Sequence, residues 1–156
     1  MLRDRFLFGA LAGVVANSIM DLFEFPFWKF GVIKYKLGHY AASLFMAAET
    51  THHTRIGSVV SFLADNIYSA LLGVVFLYLL SFTGQRFILA KGLIYGLFLW
   101  FFSYGGLRSL SVVQLRKVPT ETWDILIQLF LHLVFGLVLG WFTQKYGSAA
   151  LDEKPD

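Results

Sequence analysis

Asn17, Asp21 and Glu24 recur at i, i+4 and i+7, a spacing that puts all three on one face of a helix. The run that holds them, from about Phe6 to Trp28, is otherwise almost wholly apolar. Two later apolar runs carry groups of the same kind: Asp65 with Asn66, and Gln128 with His132. Carboxylates close to a histidine, desolvated together, bind protons or small cations. A charge near the centre of a membrane-spanning helix costs about 2.5–3.5 kcal/mol on insertion scales, so such residues face protein or a water-filled cavity rather than lipid. Arg108, at the end of the third apolar run, is the natural counter-ion for Glu24 or Asp21. The alternative is structural. Buried polar contacts hold helices together at about 0.6–2 kcal/mol each, with no chemistry attached.

A second constellation is Glu49-Thr50-Thr51-His52-His53. Glu49 pairs with His52 at i, i+3 and with His53 at i, i+4, and either pair fits one metal ion. Di-iron bundles use Glu-x-x-His pairs but need two of them and further glutamates. The sequence has one, so an interfacial, solvated histidine pair is favoured. A metal ion at Glu49, His52 and His53 is the one cofactor to weigh. Gly-x-Ser-x-Gly, phosphate-loop, dinucleotide and His-Glu-x-x-His signatures do not occur, so enzyme activity is not expected. There is no cysteine, which excludes disulfides and thiolate chemistry.

The elements that must position these residues are membrane helices. The 156 residues are 57% hydrophobic and only 15% charged, with mean hydropathy +0.65, which leaves too little polar surface for a soluble domain. The net charge of +3 is scattered, with no basic run to suggest nucleic acid. The expected fold is all-α, a four-helix transmembrane domain over residues 1–146, with spans at about 6–28, 56–82, 88–107 and 123–143. Each run is long enough for a hydrocarbon core of roughly 30 Å. Phe25-Pro26-Phe27-Trp28 suits an exit from the membrane, since proline disfavours helix at the residue before it and tryptophan prefers the interface. Arg3 and Arg5 ahead of an apolar stretch also fit a signal peptide cleaved near Ala16-Asn17-Ser18. The apolar stretch runs on past that point, so a retained span is expected.

Residues 37–54 predict an amphipathic helix, with Leu37, Tyr40, Leu44, Phe45 and Ala48 on one face, lying in the interface or across the bundle mouth. Residues 147–156 read as a disordered tail. The aromatic patch Tyr95, Trp100, Phe101, Phe102 and Tyr104 reads as core packing. Four spans put both termini on one side, but basic residues divide almost evenly between the two sides and leave orientation open.

Gly9-x-x-x-Gly13, Gly92-x-x-x-Gly96 and Gly136-x-x-x-Gly140 are spacings that let helix backbones approach closely, within the chain or between copies. A homo-oligomer is expected, because four helices are few for a transporter. The first and third runs both open on such a pair. Aligning Gly73 with Gly136 also sets Asp65 over Gln128 and Ser69 over His132. Two copies of one helical hairpin would account for this, as would the general frequency of glycine in membrane helices.

Gly9-Ala10-Leu11-Ala12-Gly13, Lys91-Gly92-Leu93-Ile94-Tyr95-Gly96 and the His132–Gly140 stretch resemble small four-helix bacterial inner-membrane proteins of the YagU-like kind. The resemblance covers most of the chain except residues 29–55. It implies a multi-pass protein of the plasma (inner) membrane and supplies no established activity. The leading expectation is a lipid-embedded protein whose Asn17, Asp21, Glu24, Asp65, Asn66, Arg108, Gln128 and His132 form a buried site for protons or small cations. The rivals are an accessory subunit whose polar groups only specify packing, and a metal-binding membrane enzyme.

Overall fold

The computed structural model describes residues 3–47, 50, 54–106 and 122–152, which are mostly helical with no strand among them. Helix α1 spans Arg5–Lys29, α2 Leu37–Ala42, α3 Arg55–Thr83 and α4 Ile88–Leu99. A π-helical segment, Trp100–Gly106, continues α4; α5 spans Thr122–Tyr146 and α6 Ser148–Leu151. Three helices, α1, α3 and α5, are long and apolar enough to cross a membrane, by length and composition.

The ends of α1 and α3 follow from their caps. Asp4 accepts a hydrogen bond from the Leu7 amide at the start of α1, and Thr54 accepts one from Gly57 at the start of α3. Pro26 lies inside α1 rather than ending it. Proline lacks only its own N–H, and its carbonyl still accepts from Phe30, so one more turn forms before the helix stops at Lys29. The tight link from α3 to α4 uses positive φ at Gly84 and Phe87. Lys91 folds back on it, its ammonium donating to the Thr83 and Gly84 carbonyls at 2.8 and 2.7 Å.

Glycine sets how the long helices pair. A methyl at Gly9 would lie 2.8 Å from the Val74 Cα, and one at Gly13 would strike the Ser69 carbonyl. On the facing helix, a methyl at Gly73 would strike the Gly9 carbonyl and sit 2.7 Å from the Gly13 Cα. The pair α4–α5 repeats this contact by contact. Methyls at Gly92 and Gly96 would strike the Gly136 and His132 carbonyls, and one at Gly136 the Gly92 carbonyl. Gly73 corresponds to Gly136 and Ser69 to His132, the alignment the sequence suggests. The two pairs join through α1 and α5, where Phe8 stacks on Phe142 and Phe23 and Phe27 meet Phe130 edge-on.

Several expectations need correction. In place of one amphipathic helix over residues 37–54, α2 is a six-residue helix ending at Ala42, followed by turns. It packs on α3 through Gly38, where a methyl would sit 3.2 Å from the Ser61 carbonyl. Residues 48, 49 and 51–53 lie outside the described residues. The third apolar run is α-helical only to Leu99, and the π geometry of the next turn carries it to Gly105-Gly106, poor helix formers. Of its aromatic patch, Tyr95 is buried and Trp100 partly so, while Phe101 and Phe102 are exposed. The tail is not wholly disordered. Ser148–Leu151 forms one helical turn whose Ala150 and Leu151 are buried, held by Arg5 donating to both their carbonyls at 3.2 Å.

Gly13→Leu or Gly136→Leu is expected to lower the thermal midpoint of the purified protein or abolish folding, since overpacking of this kind costs about 1–3 kcal/mol or more. Gly105→Ala, whose methyl would meet open space, is expected to change stability by less than about 0.5 kcal/mol.

Candidate functional site

Glycine contact between α1 and α3 brings Asn17, one turn beyond Gly13, against Asp65, one turn before Ser69. Asn17 Nδ2 donates to Asp65 Oδ2 at 3.0 Å, and both side chains are buried. By helix rise Asn17 lies about 16.5 Å and Asp21 about 10.5 Å inside Trp28, each about 3 Å from the roughly 13.5 Å depth of Asp65 inside Ile56, so depth does not choose between them and the hydrogen bond marks Asn17 as the partner. Asp21 is half-buried and makes no hydrogen bond among the described residues.

Glu24 is buried and has a different task. Its Oε1 accepts from the Leu37 backbone amide at 2.8 Å, satisfying an orphan donor at the start of α2. The carboxylate thus ties the α1 exit to the helix that covers Asp65. Lys36, the N-cap residue of α2, attracts Asp21, Glu24 and Asp65 electrostatically, while its ammonium sits 5.2 Å over the Trp28 ring. Asp21, Glu24, Asp65 and His132 form no ion pair with one another.

His132 is held by its own helix. Its Nδ1 lies 2.7 Å from the Gln128 carbonyl, and since a carbonyl only accepts, Nδ1 carries the proton. Gln128 is buried, with its side-chain oxygen unpartnered among the described residues. Asn66 turns away from the cluster, donating to the Phe62 carbonyl on its own helix at 2.8 Å. Arg108, Glu49, His52 and His53 lie outside the described residues. Among those described, no group of three His, Asp or Glu side chains is placed to hold a metal ion.

What unites Asp65 and His132 is a cavity of about 460 Å³ between α3 on one side and α4, its π segment and α5 on the other. Its walls are apolar, including Leu72, Leu99 and Phe135, and α2 contributes Leu37, Tyr40 and Ala41 at one end. Its polar lining residues are Tyr40, Asp65, Tyr68, Ser69, Ser103 and His132. Leu63, Ile67 and Leu71 flank it and are each more than half exposed, so it opens on the outer face of the bundle.

Two hydrogen bonds that residue spacing does not announce bridge the cleft. Tyr68 OH pairs with Ser103 Oγ at 2.7 Å, and Tyr95 OH donates to the Leu72 carbonyl at 2.8 Å. Their one signal in the sequence is the presence of isolated hydroxyls among apolar neighbours. A buried tyrosine hydroxyl normally finds a partner.

A double-mutant cycle over Asn17→Leu and Asp65→Leu is expected to give a coupling energy of about 0.6–2 kcal/mol in thermal unfolding. Glu24→Ala is expected to release α2, so that an added Ser43→Cys thiol, buried in the unaltered protein, reacts quickly with a maleimide. Unchanged reactivity would show that Glu24 does not hold α2.

Compared with protein-family models, curated proteins and solved structures, the chain matches none.

Proposed function

We propose that this chain is a four-span membrane protein that takes a small apolar molecule from the bilayer into the cleft between α3 and α4. The carrying observation is the cavity of about 460 Å³, apolar on its walls and open on the outer face of the bundle. Ligand pockets are typically roughly 300–1,000 Å³, mostly apolar, with a few placed polar groups. Lateral opening on a surface rich in exposed Leu, Ile and Phe suits a ligand arriving from lipid rather than from water.

The fourth crossing in this reading is α4 with its π segment, 12 and 7 residues. Together they reach across most of a hydrocarbon core of roughly 30 Å. Plasma-membrane residence follows from the resemblance to YagU-like proteins. The activity is binding or passage of a ligand rather than catalysis.

A second reading, proton or small-cation handling by an oligomer, is favoured by the presence of Asp65 and His132 in the lining of one cavity. The hydrogen bonds of Asn17, Asp65 and Glu24 weigh against it, because they give those groups packing roles.

A diazirine-bearing long-chain hydrocarbon presented in lipid nanodiscs is expected to label Leu72 and Phe135. Ala64→Trp, which fills the cleft, is expected to cut that labelling roughly tenfold, equivalent to about 1.4 kcal/mol of binding. Labelling spread evenly over lipid-facing residues and indifferent to Ala64→Trp would remove the cleft reading. Proton or cation flux in liposomes that is lost in Asp65→Asn would favour the second reading instead.

A further inference from the structure

Of the polar residues that line the cleft, Tyr68 and Ser103 pair with each other through their hydroxyls. Asp65, Ser69 and His132 are 7%, 3% and 5% exposed, and all three line the cavity. Asp65 commits one carboxylate oxygen to Asn17, and its Oδ1 has no partner among the described residues. His132 donates from Nδ1 to its own helix, which leaves Nε2 of the neutral ring as an acceptor, also unpartnered among those residues. The Ser69 hydroxyl, one turn along α3 from Asp65, accepts as readily as it donates.

Unpartnered acceptors in the lining of an apolar cleft call for a ligand that brings donors. Buried polar groups left unpaired cost about 1–3 kcal/mol each, more when charged. Ionisable residues within membrane segments are found paired or facing cavities. The local cation, Lys36, does not make the pair. Its ammonium lies over the Trp28 ring and forms no ion pair with Asp65. An anionic head would meet the carboxylate with like charge, and an ester or ketone would bring no donor. A primary ammonium carries three donors, no acceptor and the opposite charge.

Resting on the cleft reading above, we propose that the ligand is an amphiphile with a primary-amine head. Its ammonium meets Asp65 Oδ1, assisted by His132 Nε2 and the Ser69 hydroxyl, and its apolar chain lies along Leu72, Leu99 and Phe135. Close packing of α2 on α3 contributes to this geometry, since a methyl at Gly38 would sit 3.2 Å from the Ser61 carbonyl. Gly38 lets α2 lie over the Asp65 turn, where a methyl would sit 3.5 Å from the Asp65 Cβ, so the polar end of the cleft is roofed.

The test uses three diazirine probes with the same chain and different heads, a primary amine, an alcohol and a carboxylic acid, on the full chain in nanodiscs. The amine is expected to label Leu72 and Phe135 about tenfold more than the acid, as a hydrogen bond to a charged group would give. Asp65→Asn, which retains an amide oxygen for Asn17, is expected to bring amine labelling down to that of the alcohol. His132→Gln is expected to reduce it by a smaller factor. Equal labelling by amine and acid in the unaltered protein, or stronger labelling by the acid, overturns the proposed head while leaving the cleft reading intact. An amine preference that survives Asp65→Asn overturns the role of Asp65. Failure of all three probes to label the cleft overturns the cleft reading itself. The amine–acid comparison needs no variant, so misfolding of a mutant does not decide it.

Discussion

Backbone meets backbone at Gly9, Gly13 and Gly73 between α1 and α3, and again at Gly92, Gly96 and Gly136 between α4 and α5. Approach this close admits no side chain at the crossing, and in lipid it replaces the hydrophobic drive that packs soluble helices. Each pair therefore behaves as one thick element. The aromatic contacts of Phe8, Phe23 and Phe27 with Phe142 and Phe130 join the two elements along α1 and α5. Nothing comparable closes the opposite side among the described residues. There α3 and α4 touch through Phe76, Tyr95 and two hydroxyl bridges, and the cavity occupies the rest.

The equivalence of the pairs extends to the polar positions. Trp100 stands four residues after Gly96 as Asn17 stands four after Gly13, and Gln128 stands four before His132 as Asp65 stands four before Ser69. Asn17 and Asp65 bond across the first pair. At the matching positions of the second, Trp100 Nε1 and Gln128 Oε1 are buried without a partner among the described residues. One pair thus has its polar link made, and the other holds a donor and an acceptor that are not joined. The π turn begins at Trp100, which re-aims the chain at this point.

Much of this is legible in composition and spacing. The boundaries of α1, α3 and α5 fall within a few residues of the apolar runs, because a long apolar stretch has one stable form in lipid. The π turn is not legible, since Trp100-Phe101-Phe102-Ser103 continues the apolar pattern of α4 and no proline marks the change. Nor is the shortness of α2, whose apolar period runs on past the Ser43 cap. Asp65 and His132 stand out as polar groups in apolar runs, and helix rise sets them at one level, about 13.5 Å inside Ile56 and Trp123 respectively. Their partners are harder to see. Asn17 and Asp21 share a helix face and lie equally far in depth from Asp65, so spacing does not single out the amide of Asn17 that bonds it. Glu24 reads as part of an ion site, whereas its bond to the Leu37 amide makes it the anchor of α2.

Everything proposed for this protein turns on an open cleft between α3 and α4, with a polar end at Asp65 and an apolar body. An experimental density map of the protein in lipid nanodiscs tests that most directly. The expected result is elongated density that enters beside Leu63, Ile67 and Leu71 of α3 and ends at Asp65 and His132. Finding α3 packed against α4 with no space between them, or the cleft filled by a segment of the chain, would contradict it.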